Sequence, residues 1–535
     1  MRTFLSLLIF SAVLKLSAAL LPGETIWEET FATKNAVNAW ISSGSKPEWI
    51  PGGGPDGKLN AVRFCRKAFG DSFLIKNLDG SAVTGKFFLE CWVRAENIKG
   101  ERNISFLGPK VRFSYKTGNR MYYPEPKKGW GTYDWTLVRC YIDLPENATE
   151  KNLMVGLQKG SGSFEVAGLK IRKGKLATEK EVLQIIAARK PDDSIPRGAC
   201  TGMKTRFRGV MSGHDLSPAA FADLKKWNVN LIRYQMVPKK AVRLTIKTDA
   251  DYQRWIESEA ERIEKIILPL AEKNGIKVVL DLHYGGYELT SAGSNTLSPN
   301  GTGELRRLIP AWSYLAKRFS GNKNIYGFDL LNEPVAPAGG VKNPWPEMAQ
   351  ILTDTIRKID PATPIIIAWF QIAPFHIQGD NIIYSPHFYA PLAYTHQFVG
   401  SNRSKHLAYP SVMEDGTYYD KETLRESLKE VIMYQRKHKI KIYIGEFGVA
   451  VWAKGAAQWL NDAIELFEEY GWDWSFHAFR EWSGWSVEHE GIAPNKFTRV
   501  TQDTDRKQTL LKYWQKNLNE VSSVPADNVK SDMKE

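Results

Sequence analysis

Two apolar runs in this chain close on a glutamate: IYGFDLLNEP carries Glu333, and IYIGEFG carries Glu446. An unpaired carboxylate beside residues that otherwise read as core would be costly to bury, so each needs a partner or a chemical role. Each glutamate alone could close an ion pair with Arg233, but two at the ends of separate strands suit glycosidic cleavage. In that chemistry one carboxyl is held protonated to assist the leaving oxygen, and the other is ionised to attack the anomeric carbon. Glu446, supported by Arg233 and a hydroxyl from Tyr389, is expected to be the ionised member, and the less compensated Glu333 the protonated one. Other polar residues end apolar runs in the same manner: Arg233, His283, Asn332, His387 and Tyr389. His283, Glu333 and His387 could alternatively be imagined as metal ligands, but the first run, TRFRGVMSG, lacks an HxH, with His214 standing alone beyond it. No cofactor is expected.

Such residues need a scaffold that brings strand ends together. From Thr205 onwards short apolar runs alternate with amphipathic stretches, which predicts βα units and a parallel sheet. Eight runs qualify as strands: TRFRGVMSG, NLIRYQM, KVVLDLHY, IYGFDLLNE, PIIIAWF, IIYSPHFY, IYIGEFG and DWSFHAF. The intervening helices are predicted over Pro218–Trp227, Tyr252–Asn274, Glu304–Phe319, Trp345–Ile359, Glu422–Lys437 and Ala456–Glu469. Eight repeats predict a (β/α)8 TIM barrel over residues 201–520, whose site lies at the C-terminal strand ends. A doubly wound sheet is the competing architecture, but no GxGxxG follows the first strand.

The order Arg233, His283, Asn332-Glu333-Pro334, His387 with Tyr389, then Glu446 resembles glycoside hydrolase family 5, within the barrel clan of retaining glycosidases. The likeness runs over about residues 205 to 490. It implies that Glu333 is the acid/base, Glu446 the nucleophile and Asn332 the donor to the sugar 2-hydroxyl. It also implies that Arg233 and Tyr389 position the nucleophile, while His283 and His387 line the catalytic subsite. The family usually sets a tryptophan after strand eight as the floor of that subsite. In DWSFHAFREWSGWSVEH the choice falls on Trp482, with Trp485 as the alternative. Trp369, Tyr284 and Tyr287 are candidates to stack on neighbouring sugars. The activity implied is hydrolysis of β-1,4-glucan, endoglucanase-like, with β-mannan or another β-glycan, or transglycosylation, as alternatives. A non-catalytic glycan-binding protein belongs to a different class, and the presence of both glutamates speaks against it.

Ahead of the barrel, residues 24–173 carry short β-branched and aromatic runs separated by Gly, Asn and Asp: KFFLECWVRA, GPKVRFSYK, WTLVRCYID, NLMVGLQK and SFEVAGLKIR. These predict an all-β sandwich of two antiparallel sheets. ETFATKNAVNAWISSG and GSFEVAGLKIRK resemble jelly-roll carbohydrate-binding sandwiches attached to secreted glycosidases. Among the tryptophans of this segment, Trp49, Trp130 and Trp135 lie in turn-rich stretches and are the candidates for sugar stacking. Residues 174–200 read as a linker, and residues 521–535 as a disordered tail.

Arg2, the apolar stretch Phe4–Leu14 and the small residues Ser17, Ala18 and Ala19 predict a signal peptide over residues 1–19, hence a secreted protein, extracellular or periplasmic. No later run is long enough to span a bilayer as a helix. Cys65, Cys91, Cys140 and Cys200 could pair in three full ways, and the sequence does not choose between them or require any bridge. The net charge is +13, of which residues 24–173 contribute +7, from 23 Lys and Arg against 16 Asp and Glu. The basic residues are scattered, which excludes a nucleic-acid footprint. The expected partner is a polysaccharide or oligosaccharide, met by a monomer.

Overall fold

The computed structural model describes residues 20–99, 108–126, 131–213, 216–286, 294–337, 342–370, 372–399, 407–413 and 417–521. Residues 1–19, predicted as a signal peptide, those from 522, and Trp130, His214 and Tyr287 lie outside the described residues. The chain forms two units: one takes in residues up to Lys190 together with Ser411–Tyr419, the other Pro191–Pro337, Lys342–Pro410 and Asp420 onwards.

The first unit is a β-sandwich whose layers share strands. Ala61–Asn77 and Thr149–Leu176 are each long enough to run through both layers, and they pair with each other along most of their length. Near one end they are flanked by Gly85–Lys99 and Gly131–Leu144, near the other by Ile41–Gly44 and Gly108–Thr117. NLMVGLQK and SFEVAGLKIR, expected as two strands, are therefore one. The bend falls at Gly156 (φ +134°) and Gly162 (φ +112°), where the backbone of Phe73 and Asn97 leaves no room for a Cβ. Between the layers Phe64, Leu74, Phe87, Leu89, Val93, Phe113, Val155, Leu157, Phe164 and Val166 form the core, with Phe87 and Phe113 edge to face at 5.3 Å. The opposite face of the central strands is polar: Glu90 lies between Arg139 and Arg172, and Glu165 between Arg63 (2.8 Å) and Arg94 (2.6 Å).

The sandwich begins at Leu20 rather than residue 24, since Leu20–Glu29 pairs with the end of Thr149–Leu176. The predicted linker 174–200 is also structured. Glu179–Ala188 is a helix with a Thr178/Glu181 capping box, and its Val182 packs with Leu21, Val412 and Tyr418 in the first unit. Residues 191–200 belong to the second unit, where Arg197 grips both carboxylate oxygens of Glu422. No disulfide joins the four cysteines, all of which lie among the described residues. Among the described residues no helix is long and apolar enough to cross a membrane.

The second unit is a closed barrel of eight parallel strands: Arg208–Ser212, Leu231–Gln235, Lys277–Asp281, Ile325–Asp329, Ile365–Trp369, Ile382–Pro386, Lys441–Phe447 and Asp473–Phe476. These are strands one to eight, each within one of the eight predicted runs except strand seven, which begins one residue earlier at Lys441. Helices Pro218–Lys226, Asp249–Arg262 continuing to Asn274, Thr302–Phe319, Trp345–Arg357, Lys429–His438 and Ala456–Tyr470 occupy the predicted stretches, with Lys421–Ser427 set off as a separate turn of helix. Leu231, Val279, Ile366, Ile383 and Tyr443 form an apolar layer inside the barrel, against which Phe207 and Tyr326 pack. Towards the C-terminal ends the interior becomes polar, and the site is built there.

Candidate active site

Arg233 is the middle residue of strand two rather than its last, and it is wholly buried. Its guanidinium bonds Asp329 Oδ2 through Nε (2.9 Å), approaches Asp281 Oδ1 through Nη2 (3.0 Å), and donates through Nη1 to Glu446 Oε1 (2.7 Å). Nη2 also donates to Asn332 Oδ1 at 3.1 Å. A buried cation without such partners would be untenable; here the planar fork satisfies its charge and aims the carboxylates at once. Asp281 and Asp329 are fully buried and are absent from the residues expected at the site, although each is an acid inside an apolar run, KVVLDLH and IYGFDLLNEP. Burial raises Asp329 to about 6, with Arg233 pulling the other way and Asp281 adding to the rise.

Strand seven supplies Glu446, whose neighbour Gly445 explains how the groups meet. A Cβ at Gly445 would stand 2.5 Å from Ser385 Oγ, 3.2 Å from His387 Nε2 and 3.4 Å from Arg233 Nε. Only a residue without a side chain lets Arg233 and His387 close on Glu446. The second oxygen of Glu446 accepts a hydrogen bond from the Tyr389 hydroxyl at 2.9 Å, and His387 Nδ1 lies 3.6 Å from it. Burial opposes ionisation of Glu446, but His387, His477 and Arg233 together hold its pKa well below the usual carboxylate range.

Glu333 lies beyond the end of strand four, at φ +41°, a left-handed conformation that a side-chain-bearing residue adopts only where its surroundings hold it. Its Oε1 meets His387 Nδ1 at 2.8 Å, and its Oε2 accepts from the Ser294 hydroxyl at 2.6 Å. Asn332 places its side-chain nitrogen 3.3 Å from His283 Nε2, while His283 Nδ1 faces Asp281 Oδ2 at 2.8 Å. With Nδ1 protonated towards Asp281, Nε2 is the acceptor for Asn332. One oxygen of Glu333, one of Glu446 and a nitrogen of His387 lie within 4.8 Å of one another. Such a cluster could in principle hold a cation. Its carboxylate oxygens, however, are already met by Ser294, His387, Arg233 and Tyr389, a donor set suited to holding two carboxyls apart and open to a substrate.

Seven residues read from strand ends thus converge: Arg233, His283, Asn332, Glu333, His387, Tyr389 and Glu446. Of the expected platforms after strand eight, Trp485 packs on Tyr389 at 6.1 Å. Trp482 packs edge-on against Trp452 and Trp485. The side chain nearest Glu446 after strand eight is instead His477, against which Trp485 stacks. Trp369, only 5% exposed, packs on Tyr384 and Tyr434, and its neighbour Phe370 is the ring that approaches His387. Strand alternation is the reason, since adjacent side chains point to opposite faces. Tyr284 is buried on Tyr252 and Trp255.

A barrel with two close carboxylates over a buried arginine defines a glycoside hydrolase, and the comparisons with known proteins agree. The family model for cellulase, glycosyl hydrolase family 5, matches residues 197–483, more than half the chain. The protein belongs to that family. It is 28% identical to endoglucanase C of Acetivibrio thermocellus over 260 residues, 42% of this chain and 74% of that protein. It is 27% identical to cellodextrinase A of Ruminococcus flavefaciens over 242 residues, 43% of this chain and 70% of the other. A crystal structure of a glycoside hydrolase aligns over 58% of this chain and 99% of its own, at 21% identity and a TM-score of 0.46.

Proposed function

We propose that the protein is an exported, retaining endo-β-1,4-glucanase. The observation that carries this reading is that one carboxylate oxygen of Glu333 lies within 4.8 Å of one of Glu446. Retaining enzymes hold their two carboxyls about 5–5.5 Å apart, whereas inverting ones leave about 6.5–9.5 Å for a water. In the first step a Glu446 oxygen bonds to the anomeric carbon while the glycosidic bond breaks and Glu333 gives its proton to the departing oxygen. In the second, water attacks the same carbon, Glu333 takes its proton, and the bond to Glu446 breaks. Arg233 and Tyr389 hold Glu446 ionised and aimed, Asn332 donates to the sugar 2-hydroxyl, and His283 and His387 line the subsite.

Relatives named endoglucanase and cellodextrinase support a β-glucan substrate, and the leader at residues 1–19 supports export. The sandwich is proposed to hold the same polymer. Of its tryptophan candidates, Trp49 donates its indole N–H to Phe31 O and packs on the core. Trp135 lies half-buried beneath the Arg94 guanidinium, beside a cleft lined by Arg63, Glu96, Tyr133, Asp134 and Glu165. Linked binding would raise the local concentration of cleavable chain.

The test is release of reducing ends from soluble β-glucans, mannans and xyloglucan by wild type, Glu446→Ala and Glu333→Ala. The reading predicts cleavage of β-1,4-glucan by wild type, near-complete loss in both variants, and glycosyl transfer to azide by Glu446→Ala. Binding without release of ends by wild type would overturn it, and preferential cleavage of mannan would reassign the substrate. For the sandwich, Trp135→Ala combined with Glu446→Ala should reduce retention of the full chain on insoluble glucan. Undiminished retention would remove Trp135 from the binding face.

A further inference from the structure

The double-displacement mechanism leaves two ionisable groups of the cleft unused. They are His477, just past strand eight, and Glu481, one helical turn of sequence later. His477 Nε2 lies 2.9 Å from Glu481 Oε2, and His477 Nδ1 lies 2.6 Å from the Tyr389 hydroxyl oxygen. The same Nδ1 is 3.5 Å from Glu446 Oε2. These contacts form an unbroken line from Glu481 through His477 and Tyr389 to the proposed nucleophile.

Proton counting along this line determines the charge of its centre. The Tyr389 hydroxyl has one proton, and its bond to Glu446 Oε2 uses it. Nδ1 of His477 must then donate to the Tyr389 oxygen rather than accept from it. On the other side of the ring an ionised Glu481 can only accept, so Nε2 also carries a proton. A histidine with both nitrogens donating is an imidazolium.

We propose that Glu481 and His477 act as a positioning couple: Glu481 keeps His477 charged, and charged His477 keeps the Tyr389 proton directed at Glu446. The inference rests on the retaining reading of Glu446. It explains why a polar ring stands where the resemblance leads one to expect an indole. Arg233, the other cation at the nucleophile, is shared with Asp281 and Asp329, so a second positive group adds support that the arginine alone divides three ways. When His477 loses its Nδ1 proton, that nitrogen becomes an acceptor that competes with Glu446 for the one phenolic proton. Activity should therefore fall at alkaline pH through the nucleophile's support as well as through the acid/base.

The groups facing His477 agree with this. Burial alone would lower its pKa, but Glu481, Glu446 and Glu333 raise it to about 9. Glu481, whose side chain keeps a third of its surface exposed, is lowered in turn: partial desolvation opposes this, and His477 is the main cause. His396, beyond Tyr389, is pushed down to about 4 by burial and by His477, so it stays neutral.

The test uses the full chain with histidines carrying a carbon label, followed by NMR, alongside kcat/KM against pH on an aryl β-cellobioside whose leaving group needs no proton. That substrate removes the contribution of Glu333 as acid to the first step. The comparison is wild type with Glu481→Gln, which keeps the shape and the acceptor but not the charge. Expected are titration of His477 near pH 9 in wild type, a fall of about one unit or more in Glu481→Gln, and an equal displacement of the alkaline limb. The ratio of kcat/KM at about pH 5.5 to that at about pH 8.5 should rise roughly threefold in the variant for a one-unit fall, and further for a larger one. A moved His477 titration with an unmoved alkaline limb overturns the couple while leaving the retaining reading intact. An unmoved His477 titration also overturns it. If wild type neither cleaves the aryl glycoside nor any glycan of the panel, the retaining reading fails and the couple falls with it.

Discussion

Arg233, wholly buried, donates to Glu446 Oε1 at 2.7 Å. That contact is one arm of a fork whose other nitrogens meet Asp281, Asp329 and Asn332. The arginine therefore holds together strands two, three, four and seven at the floor of the cleft.

Replacing Arg233 by Met leaves three buried carboxylates without their cation. Breaking a buried pair from one side costs about 3–5 kcal/mol. The expected outcome is a lower denaturation midpoint together with loss of at least about 10³-fold in kcat/KM. Arg233→Lys restores the charge but not the fork. It should recover part of the stability and little of the activity, and recovery of both would show that charge alone suffices.

Gly445→Ala tests the close approach at strand seven. The added Cβ would sit 2.5 Å from Ser385 Oγ and 3.2 Å from His387 Nε2, so these groups must move. A displacement near 1 Å among catalytic groups costs about 10²-fold in rate. The loss should appear in kcat with the far-ultraviolet spectrum unchanged. A wild-type kcat would mean that the cleft yields without penalty.

His477 makes stability depend on pH with a defined sign. Its pKa in the folded protein is raised to about 9, above the unfolded value of about 6.5. The stabilisation is fully present below about pH 6.5 and is lost as pH rises through about 9. Denaturant midpoints of wild type and His477→Gln should therefore converge across that interval. A difference that stays constant from about pH 6 to about pH 9.5 would place the His477 charge outside the stability of the fold.

Trp369 and Phe370 should separate stability from activity. Trp369→Ala removes a buried ring packed on Tyr384 and Tyr434 and should cost about 3–5 kcal/mol. Phe370→Ala removes the ring nearest His387 and should raise KM for short oligosaccharides while sparing the midpoint. The opposite pattern would return Trp369 to the sugar-binding surface.

Parallel barrel strands are buried on both faces, so they stand out as apolar runs, and all eight are legible for that reason. The same continuity hides Asp281 and Asp329, whose runs read as core until the guanidinium between them is seen. Trp369 misleads because a run apolar on both faces carries no mark of which side points inward. His477 is masked by the tryptophans that follow it, although a histidine ending DWSFH obeys the rule that identifies His283 and His387. In the sandwich, Ala61–Asn77 is concealed because Arg63, Arg66 and Lys67 interrupt its apolar pattern, while its inner face carries Val62, Phe64 and Leu74.

The strand Thr149–Leu176 pairs with Leu20–Glu29, Ala61–Asn77, Gly85–Lys99 and Gly108–Thr117. It is also the last strand of the sandwich to leave the ribosome. Until it emerges, the earlier strands lack the neighbour that covers their edges, and closure of the domain waits on contacts far apart in sequence. Nascent chain therefore remains vulnerable to self-association for most of the synthesis of this domain, and a truncation before Thr149 would leave that vulnerability permanent.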